Sequence, residues 1–389
     1  MKVVEISAFI NYSVGSIMRN IQKYLISNGH ECKILYARDS NDSEYNSFKY
    51  SNSVLVYLNA IAARLFDNDG FFDVFGTRKL IKMIKEFDPD IIHIHCLHGY
   101  HININTFFKY LKFSRAKIIW TMHDVWAVTG HCCYFESFNC QKWKTSCNHC
   151  PAIKEYPKSI LRDNSKRNHD VKRKVFTSLD SDKITIVSPC KWMDEVVQKS
   201  YLNKYNHVII NNGISVDEFT NYNNKRSKIL IAVASVWDRR KNIEYVLNLS
   251  KNLKEWKVII VGKTFNINKD SYENITFIDR TSNKKELIEL YNKASIFINP
   301  TLDDNFPTVN IEAQLCGLMV LSFDTGGCAE TDIGNLYIIA NDLNIDDNFL
   351  NDFYSKRIYK NPKLNLTDKY MSNKYIEIME NSLSGGEKK

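Results

Sequence analysis

The apolar positions of this chain fall into short, near-continuous runs separated by stretches of helical period. Residues 3–9 form the first run, and a polar loop containing Gly15 follows. Ile17, Met18, Ile21, Tyr24 and Leu25 then recur at helical spacing until Asn28-Gly29, a strong stop signal. Residues 32–37, 91–95, 117–122 and 184–187 read as further strands. Apolar strands alternating with helices predict a parallel sheet covered on both faces.

The pattern restarts after Asn211-Asn212-Gly213. Strands are expected at 229–235, 258–261, 275–278, 296–298 and 319–323. Helices are expected at 243–253, around Leu287–Tyr291 and at 309–316. The reading is an α/β chain of two Rossmann-like, doubly wound domains. Residues 1–205 make the first, with a Cys-rich insertion at 130–157, and 206–350 the second. Residues 351–389 form a polar tail with a weak helix near 370–379, expected to pack back on the first domain. Ligands of such sheets bind beyond the carboxyl ends of the strands.

Composition narrows the function. With 389 residues the chain has room for two cores, and 44% apolar and 25% charged residues are ordinary for a globular protein. No apolar run reaches the roughly 20 residues that cross a bilayer. The first twelve residues read as a strand and not a signal peptide, so a cytoplasmic location is expected. The net charge of +8 suits a polyanionic small ligand or an anionic membrane surface. No zinc-finger or helix-turn-helix pattern supports nucleic acid as a partner. Ten cysteines are many for a reducing compartment, where clusters point to metal or chemistry.

The most informative segment runs from Asn299 to Ala313. A strand ends, a loop carries Asp304 and Phe306-Pro307, and a helix opens near Thr308-Val309 with Glu312 one turn in. Such a helix start offers backbone N–H groups and a positive dipole end to a phosphate. Carboxylates beside it can accept hydrogen bonds from sugar hydroxyls. Gly326-Gly327 at a later strand end allow close approach of the backbone. These residues resemble the Glu-x7-Glu signature of the retaining GT-B glycosyltransferases of family four, written here as Asp304-x7-Glu312. The resemblance implies two domains facing each other across a cleft, Glu312 on the donor ribose and Asp304 on the transferred sugar. It also implies a cationic clamp on the diphosphate after the first strand of the domain. Lys241 matches the clamp lysine. Ser235 stands at the usual arginine position, leaving Arg239 or Arg240 to substitute.

In the first half, His123 at a strand end is expected to face the sugar, with Asp124 orienting it or contacting acceptor. Gly15 and Ser16 match a Gly-Ser pattern near donor phosphate or acceptor, and a tight turn with an N-cap explains them equally. His93, His95, His98 and His101 cluster. Alternation puts His93 and His95 on one strand face. With no carboxylate or cysteine in the pattern to favour a metal, they read as cleft-lining or structural. Cys132-x7-Cys140-x6-Cys147-x2-Cys150 suits tetrahedral zinc, with Cys133, His131 and His149 as alternative ligands; reduced thiols or a redox pair explain the same residues. The segment resembles an insertion in a bacterial exopolysaccharide branch of the same family. Residues 158–174 carry seven basic residues interleaved with apolar ones. They suit either a peripheral membrane contact or a helix with a solvated basic face.

The resemblance thus implies a retaining glycosyltransferase of bacterial surface polysaccharide synthesis. Its donor would be a UDP- or GDP-linked sugar and its acceptor a glycan or a polyprenyl-pyrophosphate-linked glycan. No cofactor would be required for catalysis, and any zinc would be structural. A non-catalytic zinc-bearing scaffold and a dinucleotide-dependent oxidoreductase are the competing readings. The second lacks a Gly-x-Gly-x-x-Gly in its first strand–helix unit.

Overall fold

The computed structural model describes residues 1–38, 45–356 and 358–384, and it divides into two compact units. The first unit opens with β1 (Lys2–Ser7), α1 (Tyr12–Ser27), β2 (Glu31–Tyr36), β3 (Ser47–Lys49), α2 (Ser53–Phe66) and α3 (Val74–Phe87). It continues with β4 (Ile91–Ile94), α4 (Ile104–Phe113), β5 (Lys117–Thr121), α5 (Ser165–Phe176), β6 (Ile184–Ser188), α6 (Lys191–Gln198) and β7 (Asn206–Ile209). Among the described residues its sheet has the order β3-β2-β1-β4-β5-β6-β7, and all pairings within it are parallel. The strand order reverses between β1 and β4, which makes the carboxyl ends of those strands the natural ligand position.

The second unit, Ile214–Thr367, has its own core. It comprises β8 (Ile229–Val236), α7 (Ile243–Ser250), β9 (Lys257–Lys263), β10 (Ile275–Ile278), α8 (Lys284–Lys293) and β11 (Ile296–Asn299). Then come α9 (Thr308–Leu315), β12 (Met319–Phe323), β13 (Leu336–Ile339) and α10 (Asp347–Lys356). The order is β10-β9-β8-β11-β12-β13, again parallel, with the reversal between β8 and β11. The unit's two ends lie side by side, since Ile214 bridges Thr367.

The last helix, α11 (Asp368–Ser384), belongs to the first unit. Its Met371, Tyr375 and Met379 are fully buried in one cluster with Ile17, Ile21 and Leu25 of α1. Residues 385–389 of the expected tail lie outside the described residues.

Three expectations need correction. The division falls after Gly213 and not at 205, because β7 still pairs with β6. Residues 351–367 stay with the second unit, where α10 buries Leu350. The residues read as a polar loop, Gly15 and Ser16 included, already form the first turn of α1. A Cβ at Gly15 would lie 1.7 Å from the Ile10 carbonyl oxygen, so glycine there permits a helix start pressed against the chain that enters it. The strands β3, β7 and β13 and the helix α10 carried no sequence signal; the strands have only three or four residues each. None of the described helices is long and apolar enough to cross a membrane.

Candidate functional site

In the second unit three loops meet at the carboxyl ends of β8, β11 and β12. The first is a 3₁₀ turn, Arg239–Lys241, whose N-cap Asp238 accepts a hydrogen bond from the Lys241 N–H at 3.1 Å. The Arg240 carbonyl accepts the Leu302 N–H at 2.8 Å, tying this turn to the loop after β11. That loop is tied in turn to the one after β12. The Thr325 hydroxyl donates to the Thr301 carbonyl at 2.8 Å, and the Gly327 N–H to the Asp304 carbonyl at 3.1 Å. Gly326 holds a left-handed turn, φ +55°, beside it.

Lys241 forms an ion pair with Asp304 at the centre of these loops. Burial alone would raise the Asp304 carboxyl, but Lys241 and Arg240 outweigh it and hold the group below its ordinary value. Arg240 also reaches Asp238 at 3.3 Å, whereas Arg239 is exposed. Ser235, at the usual arginine position, is exposed at the end of β8, so the second cation near Asp304 is Arg240.

The helix α9 opens at Thr308 with Pro307 as N-cap and no side-chain cap. Its start therefore keeps the electropositive character that attracts anions. Phe306 is buried just before it, and Thr308 and Val309 are half-buried at its first turn. Glu312 accepts hydrogen bonds from the Thr308 hydroxyl at 3.3 Å and the Tyr291 hydroxyl at 3.4 Å. Burial pushes its carboxyl up to about 7. Sequence reasoning missed what fixes α9. Asn310 bridges Asn299 at 2.9 Å and Thr331 at 3.0 Å, and the Gln314 side-chain oxygen Oε1 accepts the Ile333 and Asn335 N–H groups at 3.0 and 3.1 Å. The polar residues Asn310 and Gln314, spaced one turn apart in a short apolar helix, were the available signal.

In the first unit the histidines surround a carboxylate that the sequence pattern did not bring to them. Glu5 on β1 stands in register with His93 on β4. Its Oε1 lies 3.4 Å from both His93 Nδ1 and His95 Nε2, and all three residues are fully or almost fully buried. The expectation that no carboxylate accompanies these histidines is therefore corrected. The partner is about 90 residues away in sequence and adjacent only through strand pairing. His95 Nδ1 continues the chain to His123 Nε2 at 2.8 Å, and His93 Nε2 meets the Thr121 hydroxyl at 2.9 Å. Burial raises Glu5 well above its ordinary value and lowers His93 to about 3 and His123 to about 4, so all three favour their neutral forms.

Asp124 pairs with His98 at 2.6 Å and accepts the Trp126 N–H at 2.8 Å. Burial disfavours the His98 cation, yet Asp124 more than reverses this and raises the imidazole well above its ordinary value. Ser16 is exposed on α1, and its hydroxyl accepts from Arg19 at 3.2 Å. Of the basic stretch, Lys172 is fully buried and donates to the Trp126 and Thr129 carbonyls at 2.8 and 3.2 Å; it is a structural residue and not part of a solvated face. Cys132, Cys140, Cys147 and Cys150 line one small pocket.

Comparison with known proteins gives the family and the fold. A family profile described as Glycosyltransferase Family 4 matches residues 14–218, just over half of the chain, and one described as Glycosyl transferases group 1 matches residues 227–347. The putative colanic acid biosynthesis glycosyl transferase WcaC of Escherichia coli is 24% identical over 298 residues, 72% of this chain and 71% of that protein. Among solved structures, a glycosyltransferase from Rickettsia africae superposes with a TM-score of 0.63 at 15% identity, covering 98% of both chains. Anabaena HepE in complex with UDP gives 0.62 at 11% identity, covering 98% of this chain and 100% of that one. At such identities these structures speak for the fold: two parallel-sheet domains of the GT-B kind.

Proposed function

We propose, since this chain belongs to glycosyltransferase family 4, that it transfers a sugar with retention of anomeric configuration from a UDP- or GDP-linked donor to a glycan or polyprenyl-pyrophosphate-linked acceptor. The setting would be bacterial surface polysaccharide synthesis, supported by the likeness to WcaC. One observation carries the reading. The uncapped start of α9, the Lys241–Asp304 pair and Arg240 converge where the strand order of the second unit reverses.

The leaving nucleoside diphosphate gains negative charge as the glycosidic bond breaks. Lys241, Arg240 and the α9 dipole supply preorganised positive charge for it. Glu312, held by Thr308 and Tyr291, accepts the ribose hydroxyls. Asp304 accepts from a hydroxyl of the transferred sugar. Gly326 is half-buried beside them and would take a phosphate or hydroxyl, while the Gly327 N–H is committed to the Asp304 carbonyl. The first unit takes the acceptor, with His123 contributing a hydrogen bond whose direction its partner His95 sets. A lipid-linked acceptor also suits an exposed apolar face on that unit. Val54, Tyr57 and Leu58 of α2 are exposed, and so are Ile160 and Leu161, whose segment is tied to α2 by the Ile160 N–H donating to the Arg64 carbonyl at 2.7 Å. Arg64 is exposed on the same helix, and Arg162 lies over the Phe66 ring.

A thermal-shift screen against UDP, GDP and their sugars tests the donor assignment. One nucleoside diphosphate is expected to stabilise the chain, and Glu312→Ala to abolish the shift. With a labelled donor and lipid-extracted acceptor, Lys241→Ala is expected to lower kcat by roughly 100- to 1,000-fold, and NMR of the product to show the donor's anomeric configuration. Absence of any nucleoside diphosphate effect, or an inverted product, sinks the corresponding half of the proposal.

A further inference from the structure

The segment 130–157 has little regular structure beyond two single-turn 3₁₀ helices, Glu136–Phe138 and Lys142–Lys144. Nevertheless it buries Cys132, Cys133, Phe135, Trp143 and Cys147. Ordering so long an irregular stretch costs conformational entropy that no strand ladder offsets.

The structure sorts the candidate ligands. Cys133 faces away, near enough to His98 and Asp124 for their charges to act on it, and its carbonyl accepts the Val125 N–H at 3.2 Å. His149 is exposed, on a left-handed turn of φ +43° that brings Cys147 and Cys150 round one corner. Lys142 Nζ braces that corner, donating to the Asn148 and His149 carbonyls at 3.0 Å each. The four remaining cysteines line the same pocket.

Two backbone donors reach these sulfurs. The Gly130 N–H reaches Cys147 Sγ at 3.2 Å, and the Ala152 N–H bonds to Cys150. At Gly130 a Cβ would lie 1.9 Å from the Ser165 carbonyl oxygen and 2.9 Å from Cys147 Cβ, so only glycine allows this approach. His131, also at the pocket, is 2% exposed. Its Nδ1 is held by Asp67, while its Nε2 has no partner and borders the pocket. Backbone N–H groups aimed at sulfur stabilise thiolates and serve as outer-shell partners of a metal site.

We infer that Cys132, Cys140, Cys147 and Cys150 bind one zinc ion as four thiolates, with His131 forming part of the pocket wall. Soft sulfur donors in a tetrahedral set select zinc over harder divalent cations. No three of the four sulfurs lie within 4.8 Å of one another, so binding draws them together as the thiol protons leave. The clip then fixes the backbone around Val125 through Cys133, next to His123 and Asp124.

The test uses the full chain expressed with zinc and purified under reducing conditions. Elemental analysis is expected to find about one zinc per chain, falling to background in Cys132→Ser and Cys150→Ser but unchanged in Cys133→Ser. Since a serine here could unfold the segment, a second measurement uses the unaltered chain. After stripping and cobalt reconstitution, the thiolate charge-transfer band should have the intensity of four sulfur ligands, and His131→Gln should keep that spectrum while weakening affinity. A chain without zinc after reconstitution, a band of three sulfurs and one nitrogen, or zinc lost from Cys133→Ser overturns the assignment.

Discussion

At the scale of single residues, Glu312 gives the sharpest prediction. Its carboxyl is raised from 4.5 to about 7 by burial. Its effect on stability is therefore fully present below the unfolded value and is lost as pH rises through about 7. Donor binding runs the other way, because ribose hydroxyls are held better by the ionised group. Nucleotide affinity, measured by calorimetry, is expected to rise between about pH 6 and 8, and Glu312→Gln to flatten that rise. A flat profile in the unaltered chain would remove Glu312 from the ribose. The motif residues Asp304, Glu312 and Lys241 were legible because their spacing from strand ends is local. Glu5 was not, because its partners His93 and His95 come from another strand, and no local period joins them.

At the scale of elements, α11 shows what a weak sequence signal conceals. Its amphipathic stripe is modest and its length is polar, yet Met371, Tyr375 and Met379 are fully buried, and the Tyr375 hydroxyl meets the Thr121 hydroxyl at 2.9 Å. Met371→Ala is expected to destabilise the first unit by about 2–5 kcal/mol, read from urea unfolding. A loss under about 0.5 kcal/mol, the scale of a surface change, would show that α11 is not docked in solution. The face of α2 belongs to this scale too. Vesicles containing anionic lipid are expected to sediment the chain, less so with added salt. Leu58→Glu with Leu161→Glu should abolish sedimentation while leaving nucleotide binding intact. Equal sedimentation of the double variant would move the membrane contact elsewhere. The sequence left the basic stretch at 158–174 as either a membrane contact or a solvated helix face, and periodicity could not tell that Lys172 points inward onto two carbonyls and the Trp126 ring.

At the scale of the whole molecule, residues 214–367 are one continuous insertion whose ends are bridged and whose core is their own. That segment expressed alone is expected to fold and to bind the nucleoside diphosphate. Saturation at about 100 times Kd should add roughly 2.7 kcal/mol of stability. A folded segment that binds no nucleotide would contradict the donor assignment to this unit. The apolar runs along the chain determined by themselves that it is α/β, that the pattern occurs twice, and that a helix opens at Thr308 beside Asp304 and Glu312. These features rest on local period, turn chemistry and spacing, which need only neighbouring residues. Tertiary structure alone decided that β7 completes the first unit, which residues α11 buries against α1, that Glu5 stands between two histidines, and which of the candidate cysteines share a pocket. Each of those depends on strand pairing or packing between segments far apart in sequence, a contact that no window along the chain contains.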